Sequence, residues 1–91
     1  MLSIEYTNAF KSDIRKIVRR GYDFTNLLDV VVMLAKNERP FPPKYRDHAL
    51  QGEWANFREL HVEPDWLLVY YIEDNTCFFA RTGTHAELFG K

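Results

Sequence analysis

Three histidines, His48, His61 and His85, all fall in the second half of the 91-residue chain, among Asp65, Glu59, Arg58, Arg81 and several aromatics. Histidine is the side chain whose ordinary pKa lets it both take and give protons near neutrality, and arginine can hold a phosphate while stabilising charge that grows in a transition state. Gathered by a sheet, these residue types suit cleavage of a phosphodiester. An RNA supplies its own 2′-hydroxyl as nucleophile, so neither a serine or cysteine nucleophile nor a metal or other cofactor is required. Two rival readings use the same residues. Three histidines and Asp65 are reasonable zinc ligands, although spacings of thirteen and twenty-four residues match no local ligand motif. A binding module whose histidines only fill space is the other.

The elements that position these residues follow from the pattern around them. In His61-Val62-Glu63-Pro64-Asp65-Trp66 a proline separates the histidine from the carboxylate, so the two cannot form an i, i+4 pair on one helix face. They read as the two sides of a turn, His61 ending one strand and Asp65 beginning the next. After Gly52 the chain has the character of strands: Trp54 to Val62, Trp66 to Ile72 and Thr76 to Thr82, with connections short enough for an antiparallel meander. In the middle strand Trp66, Leu68, Tyr70 and Ile72 share one face while Leu67, Val69 and Tyr71 share the other. One face is expected to carry helices. The other, exposing Tyr70 or Tyr71 according to register, suits stacking of a base. In the last strand Arg81 is expected to share a face with Phe79 and Cys77, and Thr84 is a possible N-cap for a terminal segment from His85 to Phe89.

Upstream, Leu2, Ile4 and Tyr6 alternate as in a short strand. Phe10, Ile14, Ile17 and Val18 then recur at helical spacing between a cap at Thr7 or Asn8 and a stop at Gly21, predicting a helix from about Asn8 to Arg20. Lys11, Arg15, Lys16, Arg19 and Arg20 form its outward basic face, available to an anionic partner or simply solvated. A second helix, capped at Asp23 or Thr25 and ending near Asn37, buries Leu27, Val30, Val31 and Leu34. Three prolines between Arg39 and Arg46 make a stiff loop that delivers Asp47 and His48 to the sheet. The expectation is one α+β domain over residues 1–91, a two-helix hairpin packed on one face of a small antiparallel sheet, with Ile14, Ile17, Leu27, Val31, Leu34, Leu68 and Val69 in its core.

The net charge of −1 conceals a split: residues 1–46 hold nine Lys and Arg against five Asp and Glu, residues 47–91 three against eight. A basic helical half thus precedes an acidic half rich in proton-transfer groups. Cys77 is the single cysteine, which excludes an internal disulfide and a cysteine-rich zinc site and suits a small buried hydrophobe. With no apolar run near the ~20 residues that span a bilayer, no membrane contact and a cytoplasmic location are expected.

The strings Asp47-His48-Ala49-Leu50-Gln51-Gly52, Trp54 to Arg58, His61 to Trp66 and Arg81-Thr82-Gly83-Thr84-His85 occur in one order with compatible spacing. Together they strongly resemble the YafQ branch of the RelE-like bacterial toxins, densely from residue 47 to 90 and by pattern before that. The resemblance implies a microbial-ribonuclease-like fold and the toxin of a type II toxin–antitoxin pair. It also implies an mRNA endoribonuclease working in the ribosomal A site, partnered by an antitoxin in a complex that could be a heterotetramer. His48, His61, Asp65, Trp66, Arg81, His85 and Phe89 match the family's functional positions. The implied roles are His85 as general acid, Asp65 or His61 as base, Arg81 on the phosphate, His48 shaping the pocket, and Trp66 and Phe89 bordering the RNA. Related toxins of this architecture inhibit gyrase by binding alone; four acid–base residues together favour the enzyme. A pI near 6.3 departs from the basic charge typical of the family's ribosome-directed members.

Overall fold

The computed structural model describes residues 1–90; Lys91, the last residue of the expected domain, lies outside them. Strand β1 (Ser3–Tyr6) leads into α1 (Asn8–Arg19) and α2 (Phe24–Lys36), then come β2 (His48–Ala49), β3 (Arg58–Glu63), β4 (Trp66–Glu73), β5 (Thr76–Gly83) and α3 (His85–Phe89). Each long helix begins where the sequence offers a capping oxygen. Thr7 Oγ1 accepts from the Phe10 N–H at 3.2 Å and donates to the Phe79 carbonyl at 2.8 Å, so one hydroxyl both caps α1 and fastens it to β5. Asp23 accepts from the Thr25 N–H at 2.9 Å to start α2, and Asn37 ends it in the left-handed conformation.

The five strands lie in the order β1-β5-β4-β3-β2, which places β4 at the centre with Trp66 to Tyr70 all buried. Phe10, Ile17, Leu27, Val30 and Leu34 pack from the helices against Leu60, Trp66, Leu68, Tyr70, Cys77 and Phe79 of the sheet. Of the expected core, Ile17, Leu27, Leu34, Leu68 and Val69 are buried, while Ile14 and Val31 are partly buried against its rim. Val18 departs from expectation: it is half exposed, because Ile17 already fills the inward position of that turn.

Three features of the sheet differ from the sequence pattern. First, β1 runs parallel to β5, Ser3 opposite Thr76 and Tyr6 opposite Phe79, so the sheet is mixed rather than wholly antiparallel. Second, β3 begins at Arg58, since Gly52–Trp54 forms a 3-10 turn and Asn56 takes a positive φ of 79°. Third, Tyr70 pairs with Phe79 and Val69 with Arg81, leaving Ala80 as an extra residue in β5. Such a bulge re-aims the chain beyond it. Phe79 therefore enters the core whereas Arg81 is taken out of its row.

Candidate active site

Directly opposed residues of neighbouring strands share a face. His48 faces Glu59, Glu59 faces Val69, and Val69 faces Arg81, so a single row crosses four strands; His61 lies beside it opposite Leu67. Alternation along β3 turns Leu60 to the helices and leaves Glu59 and His61 on the opposite face. The last element brings His85 over that face. Thr84 and Glu87 close a capping box, the Glu87 N–H on Thr84 Oγ1 at 3.3 Å and the Thr84 N–H on Glu87 Oε1 at 3.0 Å, and His85 becomes the first residue of α3.

Glu59 is the centre of the cluster. It is only 3% exposed, yet His48 Nε2 lies 3.1 Å from one carboxylate oxygen and His85 Nε2 lies 3.9 Å from the other. That second oxygen, Oε1, is buried and has no hydrogen-bond partner among the described residues. A buried oxygen of a carboxylate is costly without a donor, so the site is poised to receive one. His48 Nδ1 donates to the Arg46 carbonyl at 2.7 Å, and with Glu59 on its other nitrogen the ring sits between two acceptors. His61 Nδ1 donates to the Pro64 carbonyl at 3.0 Å, which fixes its tautomer and leaves Nε2 with a lone pair when the ring is neutral. The His61 and His85 rings are 6.2 Å apart, centre to centre. Beside them opens a cleft of about 410 Å³ lined by Leu50, Gln51, Trp54, Glu59, His85 and Phe89.

Aromatic rings extend from this cleft across the sheet. Phe89 touches both His85 and Trp54, Trp54 meets Phe57, Phe57 meets Tyr71, and Tyr71 stacks on Phe78 at 4.7 Å. Register thus settles which tyrosine lies on this face: Tyr71 does, half buried, whereas Tyr70 is fully buried. A clamp beneath the proline loop holds β2 in place. Asp47 accepts from Arg39 at 2.8 Å, from Arg58 at 2.7 Å and from the Tyr70 hydroxyl. Burial works to raise the Asp47 carboxyl, but hydrogen bonds from Arg58 and Tyr70 and the two arginine charges outweigh it and hold it below the usual range. Burial, then the bond to Asp47, pushes the Tyr70 phenol up to about 12, so it stays a donor. Burial likewise pushes the Cys77 thiol up to about 12, consistent with a packing role.

Not every residue singled out from the sequence joins the cluster. His48, His61, His85 and Phe89 come together; Asp65 and Trp66 are held elsewhere, and Arg81 shares the row but has its guanidinium engaged by Asp13. Asp65 sits in the exposed turn after β3 and accepts from the Tyr22 hydroxyl at 2.7 Å, a bond that raises the Tyr22 phenol. Trp66, expected to border an RNA, is fully buried in the core, its Nε1 donating to Thr82 Oγ1 at 2.7 Å, so neither ring face is open to a base. Arg81 is drawn to the edge of the sheet by Asp13, with contacts of 2.6 and 3.1 Å. Glu59, named only as a neighbour of the histidines, and Trp54 were given no role from the sequence. Glu59 had a signal in the sequence, since it is two residues from His61 in a strand; Trp54 had only its place beside the Asp47–Gly52 string. Among the described residues no group of three or more His, Cys, Asp and Glu side chains is arranged to hold a metal ion.

Comparison with known proteins bears on the family and the fold. A model of the YafQ family, bacterial toxins of type II toxin–antitoxin systems, matches residues 2–90. The mRNA interferase toxin YafQ of Escherichia coli strain K12 is 44% identical over 87 residues, which cover 96% of this chain and 95% of that protein. YafQ in the Escherichia coli DinJ–YafQ complex is 42% identical with a TM-score of 0.90, covering 99% of this chain and 100% of that one. A copper-bound mutant toxin from Helicobacter pylori is 40% identical with a TM-score of 0.92, covering 98% and 100%. With a family match along nearly its whole length and these relatives, the chain belongs to the YafQ family of bacterial type II toxin–antitoxin toxins.

Proposed function

We propose that this toxin is a ribosome-dependent mRNA endoribonuclease that cleaves by attack of the RNA's 2′-hydroxyl, with His61 as general base and His85 as general acid. The observation that carries it is the pair of histidine rings 6.2 Å apart above a buried carboxylate. His61 Nε2 removes the 2′-hydroxyl proton, the oxygen attacks the adjacent phosphorus, and His85 protonates the departing 5′-oxygen. The buried Glu59 carboxylate lies 3.9 Å from His85 Nε2, on the floor of the pocket over which the imidazole sits. His48 shares that carboxylate and shapes the pocket, Arg81 steadies the phosphate oxygens, and Phe89 with Trp54 offers rings for a base beside the cleft. Asp65, hydrogen-bonded to Tyr22, is left out of the proton transfers.

A chain of net charge −1 gains little overall attraction to RNA, so the basic outward face of α1, with Lys11, Arg15, Lys16 and Arg19, is the surface that offers itself to ribosomal phosphates. The DinJ–YafQ complex supports a cognate antitoxin for this chain as well, one that silences cleavage when bound.

The test is end-group analysis of a message cut by the purified toxin, with and without programmed ribosomes. A 2′,3′-cyclic phosphate or 3′-phosphate on one fragment and a 5′-hydroxyl on the other are expected. Cutting should depend on ribosomes, persist with a transition-metal chelator in excess Mg²⁺, and stop when the protein encoded beside the toxin is added. His85→Gln should keep the fold and lower the cleavage step roughly 10²–10⁴-fold. A 5′-phosphate product, or loss of cutting with the chelator, points to metal-activated water and overturns the mechanism. Full activity of folded His85→Gln removes that residue from it.

A further inference from the structure

We propose that Asp13, on α1, is a positioning residue for the cleavage reaction, acting through Arg81 by fixing the direction of its guanidinium; the inference rests on the reading that Arg81 meets the scissile phosphate. Asp13 is one of few charged side chains buried in the molecule, 6% exposed. Its carboxylate accepts from Arg81 Nε at 2.6 Å, from Arg81 Nη2 at 3.1 Å and from the Thr82 N–H at 3.1 Å.

Each contact has a cause in the topology. Strand β1 ends at Tyr6, opposite Phe79, so beyond that point the outer edge of β5 has no ladder partner. Helix α1 starts two residues later and carries Asp13 along this edge, where it takes up the unpaired Thr82 N–H. The extra residue Ala80 brings Arg81 opposite Val69, into the row that contains Glu59 and His48. A guanidinium is a planar fork with five N–H donors. Asp13 engages its Nε and Nη2, and Nη1 makes no hydrogen bond among the described residues. Since the Arg81 side chain keeps 34% of its surface exposed, the fork is held by one edge and presents the other to solvent. A donor fixed before the substrate arrives need not be reorganised as charge builds on the phosphate. A freely rotating arginine offers no such advantage.

A double-mutant cycle separates this role from a simple brace between α1 and β5. Asp13→Asn keeps the side chain's size and an oxygen for the Thr82 N–H, but loses the charge and the second acceptor for Arg81. Single-turnover cleavage of ribosome-bound message is measured for the unaltered toxin, Asp13→Asn, Arg81→Ala and the double variant, each checked for cooperative thermal unfolding. Asp13→Asn should lower the maximal rate on the order of 10- to 10²-fold, as when a reacting group is misplaced by a fraction of an ångström to an ångström. In the Arg81→Ala background it should lower it no further. An equal loss in both backgrounds overturns the proposal and leaves Arg81 on the phosphate. Full activity of Arg81→Ala is a different failure, because it removes the phosphate reading itself.

Should Asp13→Asn not fold, exchange of the Arg81 Nε–H in the unaltered toxin, followed by NMR, decides the matter. Slow exchange relative to Arg19, exposed on α1, supports the clamp, and exchange as fast as that of Arg19 overturns it.

Discussion

Trp66 begins the central strand immediately after the turn that holds Asp65, and its fate shows how much a side chain's role depends on facing. The indole packs against Tyr22 and donates to Thr82, whose hydroxyl in turn donates to the Leu67 carbonyl. Trp66→Phe should therefore lower stability, by about 1–3 kcal/mol for an emptied partner and lost contact, and leave cleavage by the folded protein unchanged. Denaturant unfolding and single-turnover cleavage check the two halves. A slower cleavage step with unaltered stability means that the ring meets RNA after all. Glu59 is the converse case. A lone Glu in an acidic half carries no mark in composition, and its importance appears once β3 is fixed in register, with His48 on one oxygen and His85 facing the other. The spacing of Glu59 and His61 was legible from the sequence; the arrival of His48 and His85 from two distant segments was not.

Local chemistry specified the elements well and their pairing less well. Thr7, Asp23, Asn37 and Thr84 each do what their side chains predict at a helix end, and both long helices fall within a residue or so of expectation. The two-residue strand β2, the parallel pairing of β1 and the bulge at Ala80 have no local signature, because each is decided by its pairing with another strand. What holds β2 near β3 is the Asp47 clamp, whose strength depends on pH. The folded Asp47 carboxyl lies below its ordinary value, so its contribution is present above the unfolded carboxylate pKa of about 4 and is lost as pH falls through the lower folded value. Asp47→Asn should thus cost about 1.5–3 kcal/mol at pH 7, the scale of hydrogen bonds to charged groups, and progressively less against the unaltered protein as the solution is acidified. Urea unfolding of both proteins at pH 7 and pH 3 measures the difference. A gap that is the same at both values would show that the clamp contributes nothing in its charged form.

At the scale of the whole molecule, one sheet does two jobs with its two faces. The helical side supplies the core, while the other aligns His48, Glu59 and His61, and α3 folds His85 over them. No helix among the described residues is long and apolar enough to cross a membrane, and the helical side of the sheet carries the core. Leu68 lies at its middle: on the central strand β4, opposite Leu60 on one side and Thr82 on the other, with no exposed surface. A domain of this size has about 5–15 kcal/mol of stability in all, the small residue of large opposing terms. Leu68→Ala removes three buried carbons from a site walled by two neighbouring strands and the helices, where collapse into the void is hindered, and should cost about 2–5 kcal/mol. Because the cut is made on the helical face, the face that carries His48, Glu59 and His61 should keep its geometry in whatever fraction stays folded. The expected result is a urea midpoint shifted down with an unchanged slope, and single-turnover cleavage per folded molecule close to that of the unaltered toxin. A near-neutral midpoint refutes the placement of Leu68 at the centre of the core, and a large loss of cleavage per folded molecule refutes the independence of the two faces.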